Sequence, residues 1–258
     1  MACTVGLFGR GRLGSLIADA IDASPDLQCA WRLGRGETPE GDVDVAIDVS
    51  HPDAVGEHIR WADDTTTDLV IGATGWPAQA LRNTGRFSAV LIAPNFSMSM
   101  ALMHRLAAVL GGYAARHPGP VDLAVTEAHH RGKVDSPSGS ATMLIDALAH
   151  SARRPTAEIA TTSLRMGSII GQHDVHWETA TETIQLSHVA RSRDVFADGA
   201  LAAARWIRGR TGVFTLDDWA ADQLDDLFAP HREPCAEAAR STPHEPPTHR
   251  SISPQEHS

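Results

Sequence analysis

In the first third of the chain, short apolar runs recur at close spacing, at residues 4–8, 27–31, 43–48, 69–72 and 89–92. Runs of this length, each followed by turn-forming residues and alternating with helical segments, predict strands of a parallel, doubly wound sheet. The closing turns are Ser50, His51 and Pro52, then Ala73, Thr74 and Gly75, then Pro94, Asn95, Phe96 and Ser97. Ligands of such sheets bind beyond the carboxyl ends of the strands, so these turns are expected to line one crevice.

The pattern then changes. Residues 98–110 have helical period with Asn95 or Ser97 as cap, residues 121–125 are strand-like, and residues 141–149 are again helical. Residues 162–165, 174–177 and 183–188 alternate polar and apolar, as half-exposed strands do. Helical spacing returns at 196–207, and a last apolar run at 212–216 closes back onto the first domain. The fold class expected is α/β, a Rossmann-type doubly wound parallel sheet domain plus an α+β substrate and oligomerisation module with a mixed or antiparallel sheet.

Composition narrows the function classes. With 22 basic and 32 acidic residues the formal charge is -10, which disfavours nonspecific binding to nucleic acid or to an anionic membrane. Cys3, Cys29 and Cys235 have no paired or metal-like spacing, and no signal peptide or membrane-length apolar run stands out, so a cytoplasmic protein is expected. From residue 230 onward, prolines alternate with His, Glu, Ser and Thr, and residues 230–258 are expected to be a disordered tail.

Two motifs carry chemistry. Gly9, Arg10, Gly11, Arg12, Leu13 and Gly14 form G-x-G-x-x-G between the first strand and a helical pattern at residues 15–21. Glycines there let the backbone approach a pyrophosphate, and the helix N-terminus favours its charge. An acid that would bind a free ribose 2′-hydroxyl is not seen at residues 32–35. Arg12, Arg32 and Arg35 offer positive charge instead, so NADPH is expected, with NADH as the alternative carrier.

The second motif runs from Glu127 to Ser140. His129 and His130 can exchange protons near neutral pH, Lys133 adds a compact cation, and Ser138, Gly139 and Ser140 open a helix whose first N–H groups can hold a carboxylate. A metal hydrolase built on His173, His176 and His188 is the competing reading. The spacing of His173 and His176 in a strand sends their rings to opposite faces, which favours half-exposed strand histidines.

These motifs, in this order, resemble the dihydrodipicolinate reductase family. The likeness spans residues 5–219 and includes residues 47–52, 72–75, 93–97, 127–141, 170–173 and 192–200. It implies a reductase of lysine and diaminopimelate biosynthesis acting on a cyclic imine dicarboxylate. His129 would be the catalytic proton donor and Lys133 its catalytic partner, with His130, Ser138, Gly139 and Ser140 holding the substrate. NADPH would lie on residues 9–14 and Arg35, with its nicotinamide near Gly72, Ala73 and Thr74 and near Ala93, Pro94, Asn95 and Phe96. The resemblance also implies a dinucleotide-binding domain at residues 1–97 and 194–222, a substrate-binding and oligomerisation domain at 98–193, and a homotetramer. The chain departs from the family in a shorter glycine loop, in Gly34 at the place of a ribose-binding acid, and in Gln172 at the place of a Glu. A paralogue acting on a different cyclic imine, or an inactive NADPH-binding regulatory protein, are the alternatives that these departures raise.

Overall fold

The structure, a computed structural model, describes residues 2–81 and 88–228. The tail expected at 230–258 lies outside the described residues.

Six parallel strands form the first sheet: β1 (Cys3–Phe8), β2 (Leu27–Leu33), β3 (Val45–Asp48), β4 (Asp68–Ile71), β5 (Ala89–Ile92) and β10 (Gly212–Thr215), in the order β10-β5-β4-β3-β1-β2. The order reverses at β1, which pairs with β2 on one side and β3 on the other, so the crevice of a doubly wound sheet opens beyond β1 and β3. Successive residues serve opposite faces. Val5, Leu7, Val45, Ile47 and Leu91 pack with α1 (Arg12–Asp22), α5 (Asp194–Ile207) and α6 (Leu216–Phe228), whereas Phe8, Ala46, Leu69 and Ile71 pack with α2 (Pro52–Thr65). Both faces being covered explains why the central strands β3, β4 and β5 are almost wholly apolar. Each fully buried Leu, Ile or Val side chain contributes about 1.5–3 kcal/mol to that association.

The second sheet is mixed, in the order β7-β6-β8-β9, from β6 (Asp122–His129), β7 (Ala160–Arg165), β8 (Gly171–Glu178) and β9 (Thr183–Ala190). Strands β6 and β7 run parallel, joined by α4 (Gly139–Ala152), while β8 and β9 are antiparallel to their neighbours. The helices α3 (Met98–Ala114) and α4 cover one face, burying Leu123, Val125, Leu144, Leu148, Val175 and Trp177. Among the described residues no helix is long and apolar enough to cross a membrane.

Several boundaries differ from the sequence expectation, and three of them bear on the site. Helix α1 starts at Arg12, inside the glycine motif, because Gly11 serves as its N-cap. Strand β2 continues to Leu33, which places Arg32 in the sheet. Strand β6 runs on to His129, so that histidine is held in a sheet and does not sit in a loop. Helix α6 is an element the pattern did not single out.

The chain crosses from the first sheet to the second at residues 93–97 and returns at residues 191–193. Gly199 of α5 lies against the first crossing: a Cβ there would fall 1.9 Å from the Phe96 carbonyl oxygen. Because backbone cannot yield as a side chain tip does, Gly199→Ala is expected to lower the denaturant midpoint by an amount equivalent to about 2 kcal/mol or more. Gly112→Ala in α3, whose Cβ would meet only the tip of Arg116 at 4.0 Å, should be neutral or stabilising by up to about 1 kcal/mol. Equal behaviour of the two variants in urea titrations would refute this account of the joint.

Candidate active site

Glu127 and His129 are two residues apart in β6, so both side chains share the face that carries Leu123 and Val125 beneath the helices. Register places His173 of β8 opposite Glu127, and Arg165 of β7 opposite His129. A carboxylate, a guanidinium and two imidazoles therefore meet at one end of the second sheet, under the N-terminus of α4.

Glu127 has no exposed side-chain surface. Its Oε2 accepts from His129 Nδ1 at 2.5 Å and from Arg165 Nη1 at 3.0 Å, and its Oε1 accepts from Arg165 Nη2 at 2.8 Å and from Ser138 N–H at 3.4 Å. Burial alone would raise this carboxyl, but the hydrogen bonds from Arg165, Ser163 and His129 outweigh it and bring its pKa down to about 2. An ionised carboxylate only accepts, so His129 must donate from Nδ1, and Nε2 is the nitrogen left for chemistry. Room beside that atom comes from Gly171, whose missing Cβ would lie 3.2 Å from it. Burial lowers the pKa of His129 below the usual histidine range against the opposing pull of Glu127, with Lys133 and Arg165 adding to the fall.

The other predicted substrate-site residues gather around this pair. Lys133 follows in the loop, paired with Asp135 at 2.9 Å, and His130 is half-buried beside it. Ser138 caps α4 through its Oγ, which accepts from Ala141 N–H at 3.2 Å and also meets His173 Nε2 at 3.2 Å. Gly139 is exposed with open space where a side chain would stand, and Ser140 Oγ accepts from Asn95 Nδ2 at 3.2 Å. That last bond joins the turn after β5 to the start of α4, so the expected nicotinamide turn and the expected carboxylate site are neighbours.

His173 was read from sequence as half-exposed; it is buried, at 4% exposure, because its face of β8 lies under the helices. Burial first, then the neighbouring His129 and His188, push its pKa down to about 4. His176 lies on the opposite face against Thr126, as strand geometry requires. Ligand atoms of Glu127, His129 and His173 come within 4.8 Å of one another, but the Arg165 guanidinium already stands where a cation would neutralise Glu127. Gln172 points to the far face, where it donates to Asp174 at 2.9 Å, so the departure at this position does not touch the site.

The glycine motif borders a cleft of about 530 Å³ beyond β1, β2 and β3. Gly9, Arg10, Gly11 and Arg35 line it, together with Ala54, His58 and Trp61 from α2. Arg12 is exposed on the first turn of α1, Leu13 is half-buried, and Gly14 is buried, where a Cβ would strike the Gly9 carbonyl oxygen at 2.1 Å. Gly11 caps α1 without a side-chain hydrogen bond and has open space around it, which suits a pyrophosphate on the free N–H groups. One side chain was missed: Glu37 reaches back to accept from Gly34 N–H at 2.9 Å and pairs with Arg10 at 2.8 Å. Its distance beyond the strand hid it. On the first sheet's other turns, Thr74 and Pro94 are exposed, Gly72 and Ala73 are half-buried, and Ala93 is buried. Phe96 is buried too, its ring filling the space where Gly72 has no side chain.

Known proteins are similar to this chain. The family models described as dihydrodipicolinate reductase, N-terminus and C-terminus, match residues 37–96 and 97–219. A 4-hydroxy-tetrahydrodipicolinate reductase of Gluconobacter oxydans is 34% identical over 83% of this chain and 95% of its own. The chain belongs to the dihydrodipicolinate reductase family. A second relative of that name, from Magnetococcus marinus, is 33% identical over 82% of this chain and 80% of its own. A dipicolinate-bound dihydrodipicolinate reductase from Paenisporosarcina sp. TG-14 has the same fold, with a TM-score of 0.70 at 18% identity over 83% of this chain and 98% of that one. Dihydrodipicolinate reductases are NAD(P)H-dependent oxidoreductases.

A pH dependence of stability follows from His173. Its folded pKa of about 4 lies below the ordinary 6.5, so the unfolded chain binds the extra proton first; the contribution is full above pH 6.5 and is lost as pH falls toward 4. The difference is on the order of 3 kcal/mol. His173→Gln should flatten the curve of urea midpoint against pH across that window, and an unchanged slope there would count against the burial argument.

Proposed function

We propose that the chain reduces 4-hydroxy-tetrahydrodipicolinate to tetrahydrodipicolinate, a step of lysine and diaminopimelate biosynthesis. The observation that carries this reading is the His129 imidazole, oriented through Nδ1 by an ionised Glu127 and set beside Lys133 and the N-terminus of α4. A reduced nicotinamide dinucleotide held on residues 9–14 and Arg35 would supply a hydride to a ring carbon. With water lost from the hydroxylated ring, the His129 and Lys133 pair would give the one proton that balances that hydride. His130, Ser138, Gly139 and Ser140 hold a ring carboxylate through imidazole, hydroxyl or N–H donors, which fixes the ring for transfer. The reading as an inactive regulatory protein loses its main support, because Gln172 faces away from this constellation.

For the cofactor, Arg10 after β1 and Arg35 after β2 flank Glu37 at the rim of the cleft, two guanidiniums that favour a 2′-phosphate while Glu37 still offers an acceptor to a plain ribose; Asp53 and Glu57 line the side of the cleft formed by α2. We infer NADPH as the better carrier and NADH as an accepted one. The two sheets support a division into a dinucleotide domain at 1–97 and 194–222 and a substrate domain at 98–193. Leu164 and Val189, 47% and 51% exposed on the face of the second sheet turned away from α3 and α4, support assembly into a homotetramer through that face, which sedimentation would measure.

The deciding assay is oxidation of the reduced dinucleotide with freshly generated 4-hydroxy-tetrahydrodipicolinate, run beside other cyclic imines. His129→Ala and Lys133→Ala should each lower kcat by about 10²-fold or more with little change in dinucleotide affinity, and pyridine-2,6-dicarboxylate should compete with the imine. Faster reduction of another imine would mark a paralogue of this family.

For the cofactor, Glu37→Gln should raise the NADPH-to-NADH ratio of kcat/KM, by about tenfold for removal of one charge near the phosphate. A ratio that falls would mean Glu37 does not face the ribose.

A further inference from the structure

We propose that Arg165 and Glu127 act together as positioning residues for proton transfer: the guanidinium cancels the carboxylate's charge, so that Glu127 can grip His129 by its Nδ1–H without forcing it to stay protonated. The inference rests on the reading of His129 as the proton-transfer group and adds what makes that group able to cycle.

A carboxylate alone within hydrogen-bond distance of an imidazole stabilises the imidazolium and raises its pKa by about 1–3 units. Such a histidine would hold its proton too firmly to release it to a substrate near neutral pH. Here Arg165 engages both oxygens of the same carboxylate, at 3.0 and 2.8 Å, and a third contact at 2.6 Å to the Asp135 carbonyl ties the guanidinium to the loop that carries Lys133. Glu127 thus keeps its directional acceptor while its charge is matched. The arrangement also fixes the neutral tautomer. With Nδ1 committed as donor, the lone pair of neutral His129 is on Nε2, on the side opened by Gly171.

Among the described residues, the charged and titratable groups around the ring are consistent with this division of labour. On its own strand His129 meets Glu127, on β7 it meets Arg165, and in the loop before α4 it faces Lys133. On β8 it meets the ring of His173 with centroids 5.1 Å apart, and that imidazole is neutral at pH 7 because burial has pushed its pKa to about 4. Beyond His173 stands His188 on β9, its ring 6.4 Å further along. Only Glu127 pulls the His129 pKa upward, and only Arg165 is bonded to that carboxylate with both nitrogens of its fork.

The test is nitrogen-detected NMR of the His129 ring across pH in the full chain, alongside the pH profile of kcat/KM. Arg165→Gln should raise the His129 midpoint by about one unit or more, and Glu127→Gln should lower it, whereas Arg165→Lys should stay near the unaltered chain. The kinetic limb assigned to His129 should move with the NMR midpoint in each variant. Shifts of the same sign in the first two variants, or no shift in either, would overturn the proposal, since a merely structural ion pair gives no such opposed signs. The unaltered protein supplies a second reading should those variants not fold: its neutral His129 must show Nδ1 protonated, and a ring protonated at Nε2 would overturn the proposal on its own. Because the ring is observed without substrate, a protein that passes these tests yet reduces no cyclic imine would refute the substrate reading and leave the positioning role standing.

Discussion

A fully buried carboxylate has to be answered from every side, and at Glu127 that demand organises the second half of the molecule. Its oxygens take donors from three separate pieces of chain: His129 from its own strand, Arg165 from the neighbouring parallel strand, and the N-cap residue of α4. An isolated charge at such depth would be strongly unfavourable, and removing one partner of a buried pair typically costs 3–5 kcal/mol. The register of β6 against β7 and the start of α4 are therefore tied to the ionic requirements of one side chain. The His129 ring, the N-terminus of α4 and the loop with Lys133 inherit their positions from it.

The two halves of the crevice are built on different physics. The dinucleotide side depends on what is missing: Gly9 and Gly14 touch backbone to backbone, and Gly11 leaves the helix end bare. The substrate side depends on charge held at depth by hydrogen bonds. They meet at Asn95 and Ser140, a neutral contact between short polar side chains. The side-chain Oδ1 of Asn95 meanwhile accepts from the N–H of Ser97, the N-cap of α3, so a single side-chain amide orders both the turn and the helix that covers the second sheet.

Much of this was legible in the sequence. The apolar runs gave the parallel sheet because both its faces are buried, and the Ser138 cap and the glycine motif marked their helices because capping and close approach demand those residue types. Arg165 and Glu37 were not legible as site residues, and His173 stood out only in a metal-site reading that strand geometry set aside. Arg165 and His173 reach Glu127 and His129 only through the pairing of β6 with β7 and β8, and register between strands far apart in sequence leaves no local mark. Glu37 lies four residues past the end of β2 and reaches back through a turn that only the folded loop defines. His129 was placed in a loop because the strand-like apolar run ends before it; its burial depends on an ionic partner and not on apolar character.

The first crossing between the sheets, at 93–97, is pressed against α5, the helix that follows the return crossing at 191–193, where Gly199 abuts Phe96. Helix α3, 17 residues and about 25 Å long, begins at that crossing and splices the two cores: Ala101 is buried with the helices of the first sheet, whereas Met103 and Ala107 are buried with the second. Arg105 of the same helix pairs with Asp225 of α6. Whatever displaces Phe96 at Gly199 therefore reaches both cores through one rod.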